Sequence, residues 1–242
     1  KTRIKTKVTK MLADIITPVS IYLRIRDVYP NSLLLESSDY HGNENSYSFI
    51  CMKPLASFSI ENGTITETYP DGDVLKTELA DDKTFNKRFT TFYQSFEPEE
   101  SPEVIPINGL FGYISYDALQ YFQTIKLNAS DTPECKIPEV LYSFYEYIIA
   151  INHFQNILYI VQNQTGSGTN DVENITTLLR SRNVSIFSFR SEGEERSNLT
   201  DDEYKKIVTH GKDHCHRGDV FQIVLSRQFS QRFKGDEFNV YR

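Results

Sequence analysis

The sequence predicts an α+β fold, rich in antiparallel sheet and layered in the manner of a sandwich. Three observations predict it. Many short runs rich in β-branched and aromatic residues alternate with a period of two, the signature of strands. Turn residues such as Asn62-Gly63 and Asp71-Gly72 join such runs directly, as hairpins do. Helical segments occur, but not in the regular βα alternation that makes a parallel sheet. With 39% hydrophobic residues, 16 Phe and 15 Tyr in 242 residues, the chain can bury a sizeable core.

In chain order, Lys1 to Lys10 is basic and lacks the apolar stretch of a signal peptide, so it reads as a solvated amino-terminal segment. Thr17 to Pro30 alternates into a strand followed by a short helix. Leu33 to Leu35 is a strand that breaks into polar Glu36, Ser37, Ser38 and Asp39, and Tyr47 to Met52 returns through a turn at Gly42-Asn43. A hairpin follows at Asn62-Gly63. Phe85, Phe89, Phe92 and Tyr93 give Asp81 to Phe96 a helical spacing, and a Pro- and Glu-rich loop begins at Glu97.

Gly109 to Tyr113 lacks the glycines and lysine of a phosphate loop and reads as close backbone packing before a helix over 114–122. Two long strands run from Leu141 to Gln164, joined near Asn152-His153 and Gln155-Asn156. The flexible turn TGSGTND leads to a helix ending near Arg180, and Ser188 to Asn198 reads as a linker.

The last helix carries a capping box, Thr200 with Glu203, and stops at Gly218. Its buried stripe is Tyr204, Ile207, Val208, Gly211 and Cys215. A strand over Gly218 to Phe229 follows, with Phe221, Ile223, Leu225 and Phe229 on one face and Gln222 and Ser226 on the other. An amide where charges are commoner marks Gln222 as a candidate site residue.

A net charge of -7 argues against general nucleic-acid binding, and no apolar run approaches the ~20 residues of a membrane span. Cys51, Cys135 and Cys215 are odd in number and widely spaced, as befits reduced thiols of a cytoplasmic protein. His210 and His214 share a helical face, a spacing that can hold zinc, but no second ligand pair accompanies them, so no metal site is assigned. Glu36, Ser37 and Ser38, at the end of an apolar strand, would suit a ligand bearing an ammonium group. The first residue is not Met and the chain stops just after an element begins, which reads as a trimmed fragment.

Four stretches carry a family resemblance: TPVSIYLRIRDVYPNSLLLESSD, YSFICMKP, GLFGYISYDALQYF, and DDEYKK with GDVFQIVLSRQF. In this order and spacing the chain from about Ala13 to Arg242 resembles the amino-terminal part of the large subunit (component I) of anthranilate synthase, a chorismate-utilising enzyme. The resemblance implies a tryptophan-regulatory domain over 1–194 and the start of the chorismate-binding domain over 195–242. It implies conversion of chorismate and ammonia to anthranilate and pyruvate with Mg2+. Ammonia would come from a glutamine amidotransferase partner, and tryptophan would be the feedback inhibitor.

Leu35, Glu36 and Ser37 match the family's inhibitor pocket. Gln222 stands where relatives that add water to chorismate carry a lysine base. A neutral amide cannot activate water, which favours ammonia. Ser46 replaces a basic residue near the pocket, while Asn152-His153 and Gln123 are departures that read as peripheral. The Mg2+ ligands and catalytic His and Glu would lie carboxy-terminal to Arg242, leaving this chain inactive alone. The alternatives are aminodeoxychorismate synthase component I, a free-standing tryptophan-binding or interaction module, and a scaffold that docks the amidotransferase.

Overall fold

The basic start of the chain is a strand, not a solvated tail. In the computed structural model, which describes residues 1–37, 46–98, 108–123, 125, 127, 137–166, 171–181, 184 and 187–242, Thr2–Leu12 forms β1. Ile4 is fully buried while Arg3, Lys5 and Lys7 are exposed, so the lysines obscure an ordinary alternation. Pro18–Ile25 is helix α1 and not a strand. Thr17 Oγ1 accepts from the Ser20 N–H, Ser20 Oγ accepts from the Thr17 N–H, and Pro18 presets the first turn. Ile21 and Ile25, one turn apart, are both fully buried. A local cap with helical spacing thus outweighs a two-residue alternation.

β2 (Leu33–Leu35) and β3 (Tyr47–Glu61) follow, then β4 (Thr64–Thr68) and β5 (Val74–Glu78). Asn62 and Gly63 both have positive φ, 51° and 72°, as the tight β3–β4 hairpin requires. Helix α2 (Asp82–Tyr93) starts from Asp81, whose carboxylate accepts the Thr84 N–H at 2.7 Å. β6 (Phe96–Pro98) and β7 (Phe111–Ile114) precede a 3-10 helix at Tyr116–Tyr121, where a longer helix was expected. A Cβ on Gly112 would stand 1.8 Å from the Leu141 carbonyl oxygen, so this glycine serves close backbone packing, as expected. β8 (Val140–Asn152), β9 (Ile157–Gln164) and α3 (Val172–Arg180) complete the larger unit, Lys1–Val184. The Gly42-Asn43 turn, the loop over 99–107, most of TGSGTND, Ser38 and Cys135 lie outside the described residues.

The class is α+β as predicted. The main sheet runs β5-β4-β3-β8-β9-β1-β6, with β2 also on β3 and β7 also on β8. Among the described residues every pairing in this sheet is antiparallel except β1 with β6. The β3–β8 register shifts between Pro54 and Ala56, beside Lys53 at φ 54°. The shift exchanges the faces of β8. Tyr147, Ile149 and Ile151 join a core with α1 and α3, Phe144 joins one with α2, and Tyr145 and Ile148 share a third.

The second unit, Ser185–Arg242, contains β10 (Phe189–Ser197), α4 (Asp201–Arg217), β11 (Phe229–Gly235) and α5 (Phe238–Tyr241). The expected linker is β10, paired antiparallel with β11; Glu194 lies inside it. Its polar sequence carries no apolar alternation because the strand is exposed throughout. α4 matches expectation at both ends, with the Thr200–Glu203 capping box and Gly218 at φ 79°. Its stripe is shallower: Gly211 is buried, Tyr204, Val208 and Cys215 are half-buried, and Ile207 is exposed.

The strand expected over Gly218 to Phe229 is a correction. Of these residues Phe229 alone belongs to a strand, and the segment before it carries no ladder. Alternation sets which side chains share a face, but a strand also needs a neighbour for its N–H and C=O groups. Among the described residues no strand pairs with this segment; the Asn198 N–H donates to its Gln228 carbonyl at 3.2 Å without continuing as a ladder.

Glu67 is fully buried, and its carboxylate is held by two 2.7 Å bonds from Arg88 and one from the Tyr69 hydroxyl. Removing the guanidinium strands a buried charge, so Arg88→Met is expected to cost about 3–5 kcal/mol in urea denaturation. A loss below ~1 kcal/mol would show that the pair does not hold this edge of the sheet.

Candidate functional site

The end of β2 and the β8–β9 turn meet because β3 pairs with both strands. Leu35 lies opposite Phe49, after which β2 leaves the ladder and Glu36 and Ser37 pass the start of β3. On the other side of β3, Tyr47 lies opposite Asn152, which brings His153 to the same place. The His153 N–H donates to the Ser46 carbonyl at 3.0 Å.

A string of hydroxyls joins the two ends. The Ser37 N–H donates to Ser48 Oγ at 3.4 Å, Ser46 Oγ lies 3.3 Å from Ser37 Oγ, and Ser48 Oγ lies 2.7 Å from His153 Nε2. Asn152 is buried and bonded at both ends of its amide. It donates to the Tyr47 hydroxyl at 2.9 Å and accepts the Gln155 N–H at 2.9 Å, which closes the turn at Asn156 (φ 54°).

Beside this string is a cavity of about 450 Å³. Its polar lining includes Asp14, Glu36, Asn152 and His153, and Ile16, Pro18 and Ile151 give it an apolar wall. Burial pushes the His153 pKa down, and the Glu36 carboxylate opposes that shift only in part.

Of the residues expected to form a ligand site, Glu36 lines the cavity, Ser37 joins the hydroxyl string, and Leu35 fixes the strand end behind them. Asn152 and His153 are not peripheral; they close the site. Sequence spacing could not show this, because the β3–β8 register joins positions about a hundred residues apart. Gln123 lines a separate cavity beside Tyr121.

A second cluster escaped the sequence reading. Lys53 Nζ bonds Asp171 at 2.9 Å and lies 5.4 Å from the Tyr29 ring centre and 5.2 Å from that of Tyr147. Burial lowers the lysine's pKa, but the Asp171 hydrogen bond and the Glu146 charge outweigh it, so the net direction is upward. An ammonium held in this way is a strut, not a nucleophile. Its only sequence signal was a lysine inside an apolar strand.

In the second unit, Ile223 and Leu225 approach α4. A Cβ on Gly211 would stand 3.5 Å from Ile223 Cγ2 and 3.1 Å from Leu225 Cδ1, and the Tyr204 hydroxyl donates to the Leu225 carbonyl at 3.2 Å. Gln222 is exposed, as are Phe221 and Val224. His210 and His214 have ring centres 4.8 Å apart, and His214 Nδ1 lies 2.8 Å from Asp219 Oδ2. Among the described residues no three His, Cys, Asp or Glu side chains converge on a metal site. Among the same residues, no helix is long and apolar enough to cross a membrane.

The family model described as chorismate binding enzyme matches residues 31–242. Anthranilate synthase component 1 of Aquifex aeolicus is 26% identical, over 97% of this chain and 49% of its own length. The Lactococcus lactis protein of that name is 24% identical over 98% of this chain and 51% of its own. The crystal structure of anthranilate synthase component I from Streptococcus pneumoniae has the same fold, with a TM-score of 0.54 at 18% identity over 96% of this chain and 51% of that one. The chain thus spans about half the length of the relatives it matches.

His153 couples this site to pH. Because its folded pKa lies below the free value of 6.5, the unfolded chain takes up the proton first. Its stabilising effect is complete above about pH 6.5 and declines as pH falls toward the folded pKa. His153→Gln is expected to reduce the loss of urea midpoint between pH 7 and 5. An unchanged pH slope would remove His153 from this role.

Proposed function

The chain belongs to the chorismate binding enzymes, and from that premise we propose that it is the amino-terminal portion of an anthranilate synthase component I. The observation that carries the reading is the match of nearly the whole chain to relatives of that name. In this reading the complete polypeptide converts chorismate and ammonia to anthranilate and pyruvate, using Mg2+ and an amidotransferase partner. The larger unit is regulatory. Leu35, Glu36 and Ser37 help to bind tryptophan as an inhibitor, which is supported by a cavity that sets a carboxylate beside an apolar wall.

Gln222 is the residue of this chain assigned to the chemistry. Its amide takes up no proton near neutrality, so it can orient a nucleophile without deprotonating water. Ammonia, a stronger nucleophile than water, needs no base to attack, and the proton released once the C–N bond has formed passes to solvent. The remaining catalytic groups are assigned outside these residues, and this chain alone is expected not to turn over.

Anthranilate fluorescence with chorismate, Mg2+ and ammonium tests the reading. The complete polypeptide is expected to form anthranilate, and the 242-residue chain only the uncatalysed background. In the complete polypeptide, Gln222→Lys is expected to lower anthranilate formation about 10²-fold, the scale of a misassigned acid–base group, with chorismate diverted to water addition. Aminodeoxychorismate as the product would assign the chain to the sister enzyme instead. Turnover by the chain alone would overturn the division of catalytic groups.

A further inference from the structure

Among the described residues no ladder holds the segment that carries Gln222, yet it is fastened to α4 along its length. At its start, Asp219 folds back on the last turn of the helix. Its N–H donates to the His214 carbonyl at 3.0 Å, and its carboxylate lies 2.8 Å from His214 Nδ1 and 3.2 Å from Arg217 Nη2. In the middle, the Tyr204 hydroxyl donates to the Leu225 carbonyl at 3.2 Å, and the Ile223 and Leu225 side chains lie over Gly211.

Arg227 makes the fastening at the first turn of α4, so the segment runs back from the end of the helix to its beginning. Its Nε donates to Ser197 Oγ at 2.7 Å and its Nη1 to Asp201 Oδ1 at 2.6 Å, while the guanidinium lies 4.6 Å from the Phe229 ring centre. The next residue repeats the tie. The Gln228 N–H donates to Asn198 Oδ1 at 3.0 Å, and the Asn198 N–H donates to the Gln228 carbonyl at 3.2 Å. An exposed ion pair alone would hold a segment weakly. Here the Arg227 side chain is only 18% exposed, and its planar fork fixes direction as well as distance. Four directional bonds to residues 197–201 thus set the register of the segment.

Gln222 lies between these fastenings, three residues after Asp219 and five before Arg227. An amide can orient a nucleophile only if its own place is fixed, since small displacements of a positioning group cost rate. We propose that Arg227 is a positioning residue for Gln222. By tying the segment to the start of α4 it sets where the amide stands, and it acts through the backbone and not on the reacting atoms. This rests on reading Gln222 as the residue of this chain that orients the nucleophile.

Anthranilate formation by the complete polypeptide, at saturating chorismate, Mg2+ and ammonium, tests it in four proteins: the unaltered protein, Gln222→Ala, Arg227→Ala and the double variant. Arg227→Ala is expected to lower kcat about tenfold, the scale of hydrogen bonds to a charged group. The double variant is expected to match Gln222→Ala within about twofold, because the position of an absent amide has no effect.

An Arg227→Ala loss that recurs in full on the Gln222→Ala background would overturn the proposal and leave the role of Gln222 standing. So would an Arg227→Ala rate equal to that of the unaltered protein. Gln222→Ala at the unaltered rate, or no anthranilate from the unaltered protein, would overturn the reading on which the proposal rests, and the proposal with it. Should Arg227→Ala fail to fold, Asp201→Ala, at an exposed position in the first turn of α4, replaces it in the same cycle.

Discussion

The antiparallel pairing of β3 with β8 is the constraint on which the larger unit depends. Each of the two strands carries further strands on its other side: β2 and β4 lie on β3, and β7 and β9 on β8. The bulge between Pro54 and Ala56 sits in the middle of this pairing, where proline has no N–H to give to a ladder. By reversing the alternation there, it lets one pair of strands serve different cores along its length. α1 and α3 cover Ile50 and Met52 of β3 with Tyr147 to Ile151 of β8, and α2 covers Ala56, Phe58 and Ile60 with Phe144. The ion pair from Lys53 to Asp171, which precedes α3, ties that helix to the strand beside the bulge. The same register sets Ser46 and Ser48 beside His153, so the candidate ligand site follows directly from the strand pairing.

Polar groups inside the sheet are tolerated because they bond one another. Gln162 donates to the Tyr147 hydroxyl, Asn163 donates to the Tyr145 carbonyl, and Thr6 joins Asn163 to Asn108. Each would cost free energy if buried alone. The second unit is organised differently. A two-stranded sheet is marginal by itself, and Phe221, Val224, Phe229 and Phe233 remain exposed. In α4 the capping box and left-handed Gly218 are local features that need no distant partner.

That difference explains what was legible in the sequence. Features written within a few residues were read correctly: the Asn62-Gly63 hairpin, the close approach at Gly112, and both ends of α4. Features whose meaning lies in a partner were not. β1 was hidden by lysines on its exposed face, and β10 by a composition suited to a linker. Gly218 to Phe229 has the pattern of a strand, but among the described residues no ladder lies beside it before Phe229. α1 failed for another reason: in Thr17 to Pro30 the two-residue and helical periods both fit, and the Thr17–Ser20 cap was the deciding signal. Glu36 and Ser37 could be picked out because a strand end is a local event. His153 could not, because its place in the site depends on the β3–β8 register.

The two sites assigned to this chain differ in how much of their chemistry the surroundings supply. Glu36 already has an apolar wall, a second carboxylate and a histidine kept toward neutrality by burial, all within one cavity. Gln222 is exposed, and an amide in water discriminates little between ammonia and water, since bulk solvent competes for every hydrogen bond it makes. Its selectivity as a neutral group requires enclosure, where the lack of a base becomes a property of the site and not merely of one side chain. The residue type is thus only half of the argument for Gln222, whereas at Glu36 residue type and surroundings are present together.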